Sequence, residues 1–207
     1  MNIAVFGATG KTGLEIVKQA LEAGHKVTAF VRDPARLAIE NKKLSIVTGD
    51  VFDQASVAQA IKGQDAAVCA LGAGSDLKKT TVRATGTINI IKGMQQNNVK
   101  RLMVVTAMGV GESWDTLSMI NKFFFAVLLK SSREDHEAQE AVVKESGLDW
   151  TIIRPSGLVD TPRTGVYDFG ENIPAKTSKI ARADVADLIL KELEQNTHIG
   201  KALTISN

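Results

Sequence analysis

The chain has 207 residues, a length typical of one folded domain, and its 25 basic and 23 acidic residues leave a net charge of +2. This near balance excludes an extended basic surface of the kind that binds nucleic acid. Hydrophobic residues form 44% of the chain and charged residues 23%, as in an ordinary globular protein with a full core. We therefore expect a single domain over residues 1–207 with a small substrate-site portion and no nucleic-acid partner.

Cysteine content and hydrophobicity bear on the cellular location of the protein and on membrane and metal binding. The single cysteine, Cys69, lies inside the apolar run 66–71 and is expected to be a small buried hydrophobe without a disulfide. The longest apolar stretch, 123–129, is too short to cross a bilayer, and no signal-peptide pattern begins the chain. No group of His, Cys or acidic residues has the spacing of metal ligands. These patterns predict a cytoplasmic protein with no membrane partner and no metal.

The first elements in the chain are a predicted strand, a glycine-rich turn and a predicted helix. Residues 2–6 are an apolar run, the turn 7–13 reads GATGKTG, and residues 12–23 have helical apolar spacing. Glycines let such a turn approach a ligand closely, and the helix N-terminus offers free N–H groups and a positive dipole end to a pyrophosphate. The turn is therefore predicted to bind the phosphates of a dinucleotide.

The second predicted strand, 26–31, is followed by Arg32, nineteen residues after Gly13. An acidic side chain at this point would bind a ribose 2′-hydroxyl, whereas an arginine suits a 2′-phosphate. Arg36 lies near enough to act as a second arm of the same clamp. The alternative is a pair of solvated arginines beside a structural turn. The pattern favours NADP as the cofactor.

The third and fourth predicted strands also end in candidate cofactor residues. Asp50 and Val51 follow strand 44–48, where the carboxylate would accept the adenine amino group and the valine would pack on the ring. The alternative is that this segment only starts the next helix. The small residues 71–74 end strand 65–71 and leave room for the sugars and the pyrophosphate of a cofactor.

Along the whole chain, apolar runs rich in Val, Ile and Ala alternate with helical patterns. Strands are predicted at 2–6, 26–31, 44–48, 65–71, 101–106, 149–154 and 202–205, and helices at 12–23, 54–62, 80–97, 131–146 and 182–195. This alternation implies parallel strands joined by right-handed crossovers and covered on both faces. The predicted fold class is α/β, a single doubly wound parallel-sheet (Rossmann) domain with a strand order that begins 3-2-1-4.

Two segments interrupt this alternation, and both follow strands at the carboxyl edge of the sheet, where ligands bind. Residues 109–130 carry more large apolar side chains than a connection needs, and residues 155–179 have no regular period. Both are predicted to contribute to a substrate site. Within the first, residues 117–129 fit a lid, a core helix or a subunit interface, and the oligomeric state is left open.

The sequence contains no obvious proton donor for reducing a carbonyl group. The usual dehydrogenase pair of this fold is a tyrosine with a lysine four residues later, but Tyr167 is the only tyrosine and Glu171 follows it. His25 and His198 are expected to be exposed, and His136 lies among acidic residues that indicate a solvated helix face. No residue is therefore assigned as a general acid.

Several segments carry a resemblance to a known family. They are IAVFGATGKTG (3–13), VTAFVRDPARL (27–37), VTGDV (47–51), GQDAAVCALG (63–72), DLKKTTV (76–82), DHEAQEAVVKESGL (135–148) and LVDTPRTGVY (158–167). In these segments the chain resembles the NADPH-dependent flavin reductase/biliverdin reductase B group of the atypical short-chain dehydrogenases, which are NAD(P)-binding and NmrA-like. The likeness extends over nearly the whole chain and is weakest in residues 109–130.

The resemblance implies a set of cofactor contacts. They are Gly7, Thr9, Gly10, Lys11, Thr12 and Gly13 on the pyrophosphate, Arg32 and Arg36 on the 2′-phosphate, Asp50 and Val51 on the adenine, Leu71 and Gly72 beside the cofactor, and Thr106 and Pro155 at the nicotinamide. Two positions depart from the biliverdin-reducing members. Ala107 stands where they have a serine, and Ser156 stands where they have a histidine, which argues against biliverdin reduction.

These inferences lead to two hypotheses of function. The first is an NADPH-dependent oxidoreductase that passes a hydride to a planar acceptor, either a flavin bound as a substrate or a quinone. The floor of its site would consist of Gly72, Thr106, Ala107, Met108, Pro155 and Ser156. Hydride transfer to so electrophilic an acceptor requires mainly that the two rings be held in contact. The second hypothesis is an NADP-binding, redox-sensing protein without turnover.

Overall fold

The computed structural model describes residues 1–72, 81–116 and 130–207. Its strands are β1 (Asn2–Phe6), β2 (Lys26–Val31), β3 (Leu44–Thr48), β4 (Ala66–Cys69), β5 (Arg101–Val105), β6 (Asp149–Pro155), β7 (Gly157–Val159), β8 (Asp168–Glu171), β9 (Lys179–Ala181) and β10 (Lys201–Ser206). Its helices are α1 (Lys11–Glu22), α2 (Gln54–Ile61), α3 (Val82–Gln96), α4 (Lys130–Lys144) and α5 (Arg182–Gln195). Short 3₁₀ turns occur at Pro34–Arg36 and Gly111–Thr116.

The main sheet has the strand order β3-β2-β1-β4-β5-β6-β10-β8. All neighbouring strands in it are parallel except β8, which pairs antiparallel with β10. The predicted Rossmann class and the predicted order 3-2-1-4 are therefore confirmed. Each predicted strand and helix is present, with ends within two residues of the prediction. The order reverses between β1 and β4, and this reversal opens a crevice at the carboxyl edge of the sheet.

The segment 155–179 is more regular than its sequence predicts. It contains β7 and β9, which pair in parallel as a small second sheet, and β8, which extends the main sheet. The expectation of an irregular segment is wrong in this respect, because strands of three or four residues are too short to show a hydrophobic period. Residues 117–129, for which a lid, a core helix and an interface were all considered, lie outside the described residues.

The core has two layers, one on each face of the sheet. Side chains alternate along a strand, so Ile3 and Val5 pack with α1 and α5, whereas Ala4 and Phe6 pack with α2, α3 and α4. All four are fully buried. This double burial explains why β1 is apolar at successive positions. In the described ranges, no helix is long and apolar enough to span a membrane.

Candidate functional site

The glycine turn connects β1 to α1, and its backbone packs closely against the backbone at the end of β4. Gly7 has φ +84°, and a Cβ built on it would lie 2.3 Å from the carbonyl oxygen of Ala70. A Cβ on Gly13 would lie 2.1 Å from the carbonyl oxygen of Gly7. Real side chains do not fit at either position. Glycine is therefore required at both ends of the turn if the turn is to lie directly under the crevice.

Helix α1 begins at this turn without a side-chain cap. Gly10 occupies the N-cap position in an extended conformation, and the first helical turn contains no acidic residue. The first N–H groups of the helix and its positive dipole end therefore lack a carboxylate or hydroxyl partner from the cap. Gly10, Lys11 and Thr12 line the crevice. This helix start fits an anionic group such as a phosphate.

A cleft of about 420 Å³ extends across the carboxyl edge of the sheet. Predicted cofactor residues form much of its lining, namely Gly7, Thr9, Gly10, Lys11, Thr12, Arg32, Arg36, Asp50, Val51, Leu71, Gly72 and Thr106. The lining also includes residues that were not predicted as cofactor contacts, namely Phe30, Val31, Gly49, Phe52, Ala70, Val82, Arg83, Val105, His136, Leu158 and Arg182. Tertiary structure thus brings segments from most of the chain to one groove.

One end of the cleft carries two unpaired cations. Arg32 and Arg36 are both exposed, and in the described part of the chain neither guanidinium makes a hydrogen bond or an ion pair. The Asp33 carboxylate accepts the N–H of Ala35 at 3.0 Å, which caps the 3₁₀ turn and holds Arg36 close to the end of β2. Two guanidiniums without partners fit a dianionic phosphate group.

Beside this clamp, the segment after β3 presents a carboxylate and an aromatic ring. Asp50 accepts the N–H of Phe52 at 2.9 Å, whereas Asp53 is the residue that caps α2. The helix thus begins at Asp53 and Gln54, as the alternative interpretation expected, and the contact of Asp50 with adenine stays a prediction. Val51 is buried, and its carbonyl oxygen accepts a hydrogen bond from Asn89 Nδ2 at 2.8 Å. Phe52 is 54% exposed at the cleft and was missed because a single aromatic residue in a loop carries no pattern.

One carboxylate outside the cleft lining holds two cations that line the cleft. Asp160, just after β7, forms ion pairs with both Lys11 and Arg182. The hydrogen bond from Lys11 lowers the pKa of Asp160, so this carboxyl group stays ionised to lower pH than usual. Lys11 and Arg182 also line the cleft, at the start of α1 and of α5. The positive charge that Lys11 and Arg182 bring to the two helix starts is therefore partly offset by Asp160.

At the end of the cleft away from Arg32 and Arg36, Thr106 contacts a buried ion pair. Thr106, which follows β5, donates its hydroxyl hydrogen to Glu140 Oε1 at 2.9 Å. Arg154 Nε donates to the same oxygen at 2.9 Å, and Arg154 Nη2 donates to Glu112 Oε2 at 2.7 Å. The hydrogen bond from Arg154 lowers the pKa of Glu112 to about 2. Because its hydrogen is engaged, the Thr106 hydroxyl can only accept hydrogen bonds from a molecule in the cleft.

His136 is buried at the cleft, so its predicted place on a solvated helix face is wrong. Its side chain is 8% exposed, and burial, followed by the nearby Arg83 charge, lowers its pKa to about 4. The sequence carries no signal for this, because the buried positions 136, 139 and 140 of this helix face hold His, Gln and Glu, which do not form an apolar period.

The other two histidines are away from the cleft. His25 is 9% exposed, with Nε2 at 3.2 Å from Glu194 Oε1 and Nδ1 at 3.3 Å from the amino group of Met1. The expectation that His25 is exposed is therefore wrong, since the chain terminus and α5 cover it. His198 is exposed, as expected.

Helix α3 begins beside His136 and is capped by another element. The carboxylate of Asp135 accepts the N–H groups of Arg83 and Ala84 at 3.4 and 3.1 Å, and Arg83 Nη1 at 3.2 Å. Asp135 is one residue before His136 on α4. These bonds fix the guanidinium of Arg83 at the same end of the cleft as the imidazole.

Five predicted site residues lie outside the cleft lining. They are Gly13, Ala107, Met108, Pro155 and Ser156. Gly13 is buried where α1 packs on the turn. The N–H of Met108 donates to the carbonyl oxygen of Pro155 at 2.9 Å, so the segments after β5 and β6 are joined behind Thr106. Ser156 Oγ is buried and has no hydrogen-bond partner in the described ranges.

Tyr167 does not supply the missing proton donor. It lies outside the cleft lining, and its hydroxyl donates to Asp187 Oδ2 at 2.7 Å. Burial raises its pKa, followed by the hydrogen bond to Asp187, whereas a catalytic phenol needs a lowered pKa. Among the residues that the structure describes, no group of three or more His, Cys, Asp or Glu side chains could hold a metal ion.

A parallel sheet with the order 3-2-1-4-5-6, a glycine turn at its reversal point and a helix start without a side-chain cap define the Rossmann dinucleotide-binding class. The sequence profile of the NAD(P)H-binding family matches residues 7–196, so the chain belongs to this family. The expected superfamily, the NmrA-like atypical short-chain dehydrogenases, is thereby confirmed.

Relatives of similar length are known. The chain is 33% identical over 215 residues to the uncharacterized protein YwnB of Bacillus subtilis, covering 99% of this chain and 98% of YwnB. A Rossmann-fold NAD(P)-binding family protein from Shigella flexneri is 29% identical, with a TM-score of 0.75 and coverage of 99% and 92%. ChuY, an anaerobilin reductase from Escherichia coli O157:H7, is 24% identical, with a TM-score of 0.82 and coverage of 100% and 97%.

Proposed function

We propose that the protein is an NADPH-dependent oxidoreductase that transfers a hydride to a flavin or a quinone-like acceptor. The observation that carries this proposal is the cleft, in which two unpaired arginines lie at one end and an uncapped helix start lies at the middle. A 2′-phosphate on the adenosine ribose is the group that distinguishes NADP from NAD, and it matches the arginine pair.

Each part of the cofactor has a candidate partner. Gly7, Thr9, Gly10, Lys11, Thr12 and Gly13 would hold the pyrophosphate, Arg32 and Arg36 the 2′-phosphate, Asp50 and Val51 the adenine, Leu71 and Gly72 the central sugars, and Thr106 and Pro155 the nicotinamide. When bound, NADPH supplies a hydride, and the acceptor takes up that hydride together with one proton from water. Gly13 would contribute by allowing α1 to pack on the turn.

The end of the cleft near Thr106 and His136 favours a reactive electron acceptor over a simple ketone. The imidazole of His136 is neutral near pH 7, because its pKa is about 4, and Thr106 has its hydroxyl hydrogen engaged. Neither group offers a proton of the kind that reduction of an unactivated carbonyl requires. A flavin needs no such donor. It would enter as a substrate and not as a bound prosthetic group.

The name of one structural relative, anaerobilin reductase, is consistent with a reductase activity. Biliverdin itself is not included in the proposal, because Ala107 and Ser156 replace the serine and histidine of the biliverdin-reducing group. The proposal includes a cytoplasmic location, which the single buried thiol of Cys69 supports, since disulfides are rare in that compartment.

The test is NADPH oxidation by the purified protein with a panel of flavins and quinones. We expect oxidation when FMN or riboflavin is added, and a much lower rate when NADH replaces NADPH. If no flavin and no quinone supports turnover, the proposal is wrong. Tight NADP binding without turnover would instead support a redox-sensing protein.

A further inference from the structure

The amide of Gln139 has a defined orientation in the core. This fully buried residue of α4 donates from Nε2 to Thr87 Oγ1 at 3.0 Å, and the same nitrogen lies 3.5 Å from Cys69 Sγ. Both partners lie on the sheet side of α4, one on α3 and one on β4. The amide oxygen therefore points the other way, where it lies 3.2 Å from His136 Nδ1.

This contact determines which ring nitrogen of His136 carries hydrogen. A carbonyl oxygen only accepts hydrogen bonds, so Nδ1 must be the donor to Gln139. Burial and the charge of Arg83 keep the imidazole neutral, and a neutral imidazole has one N–H group. Nε2 consequently carries a lone pair. No described residue donates a hydrogen bond to it.

The charged groups around the ring leave this lone pair available to a ligand. Asp135 is occupied by the start of α3, and its neighbour Arg83 is held in place by the same carboxylate. Arg83 and His136 both line the cleft. This end therefore combines a cationic donor with a neutral acceptor, a pair that complements adjacent C=O and N–H groups on a ring.

We infer that His136 Nε2 accepts a hydrogen bond from the imide N–H of a flavin, so that the site prefers flavins over quinones. A quinone has C=O groups for Arg83 but no N–H for His136. The inference rests on the proposed function, because it specifies the acceptor in that same site. Gln139 would act as a positioning residue, since its contact with Nδ1 leaves the lone pair on Nε2.

Two flavins that differ only at the imide nitrogen test this inference. Lumiflavin has the N–H group, and 3-methyllumiflavin has a methyl group in its place. We expect the wild-type protein to have a kcat/KM about 3- to 10-fold higher for lumiflavin, the effect of one neutral hydrogen bond. His136→Leu, which removes the acceptor at similar volume, should abolish this difference. His136→Gln, which restores an acceptor oxygen, should retain part of it.

The result that would overturn the inference is an unchanged preference for lumiflavin in His136→Leu, or no preference in the wild-type protein. Circular dichroism and thermal unfolding establish that both variants are folded. If His136→Leu does not fold, the preference of the wild-type protein for lumiflavin and the protonation state of the ring, measured by nitrogen-15 NMR, remain the test.

A second readout does not depend on turnover. Nitrogen-15 NMR of the NADP⁺ complex reports whether Nδ1 or Nε2 of His136 is protonated, with the signal assigned by its loss in His136→Gln. Protonated Nε2 would overturn the inference even if flavins are reduced. If no flavin is reduced, the proposed function is wrong, but the inference about His136 can still be tested by binding. Quenching of lumiflavin and 3-methyllumiflavin fluorescence then measures whether the N–H group affects affinity. Equal affinities would overturn the inference.

Discussion

The hydroxyl group of Thr106 donates a hydrogen bond to Glu140 Oε1 at 2.9 Å, and the same oxygen accepts from Arg154. This arrangement ties the end of β5 to α4 and β6 directly beneath the cleft. Both partners of the ion pair are buried, Arg154 to 1% exposure and Glu140 to 2%. The position of a cleft residue therefore depends on a charge pair that lies outside the cleft lining.

We expect Glu140→Ala to lower the free energy of unfolding by about 3 kcal/mol or more, because it leaves the Arg154 charge buried with a single remaining partner. Urea unfolding measures the loss. Glu137→Ala is the matched control, since Glu137 is exposed on the same helix and, among the described residues, pairs only with Arg133, one turn before it. Its effect should stay below about 0.5 kcal/mol. Equal losses in both variants would contradict the role assigned to the buried pair.

We expect Arg32→Glu to weaken NADPH binding about 10- to 100-fold while changing NADH binding little. The physical reason is the loss of a charge-assisted hydrogen bond to the 2′-phosphate. Binding constants for the two dinucleotides, measured by calorimetry, check this. Lys42→Glu makes the same change of charge at an exposed position outside the cleft lining and should leave the selectivity unaltered. A similar loss for NADPH and NADH would show that Arg32 does not contact the 2′-phosphate.

We expect Asp160→Asn to strengthen NADPH binding about threefold at low ionic strength, because Lys11 and Arg182 would no longer be shared with a carboxylate. The gain should shrink as salt is added, since the charges are exposed and screened. Asp168→Asn is the control. Asp168 lies in β8, outside the cleft lining, and pairs with Lys176. Weaker binding in Asp160→Asn would mean that the carboxylate orients the two cations for the phosphate.

The pKa of His136 predicts a loss of stability in mild acid. Its pKa falls from 6.5 to about 4 on folding, so between these values the unfolded chain binds more protons than the folded protein. Stability therefore declines as the pH falls from 6.5 towards 4. We expect a contribution of about 2 kcal/mol to be lost between pH 7 and pH 5.

Urea unfolding at these two pH values tests this expectation. His136→Gln should show a smaller decline than the wild-type protein, because it lacks the titrating group. His198→Gln alters an exposed histidine and should retain the wild-type decline. Identical declines in all three proteins would rule out a buried neutral imidazole at position 136.

Local patterns were sufficient to predict the elements of the fold. The apolar run of β1, the turn that starts at Gly7 and the helical spacing of α1 are adjacent in the chain, and each pattern reports directly on its own segment. The same holds for Arg32, which follows its strand at once. The short strands β7 and β9 could not be predicted, because three residues carry no period and their pairing joins segments about twenty positions apart.

The sequence by itself determined the order of strands and helices, the glycine turn and the position of an arginine after the second strand, because these depend on neighbouring residues. Tertiary structure decided which side chains meet at the cleft. His136 becomes a neutral, buried group only when α4 packs against α3, and Asp160 reaches Lys11 only when the residue after β7 meets the start of α1. Burial and charge pairing of this kind arise between residues far apart in the chain, so no local pattern contains them.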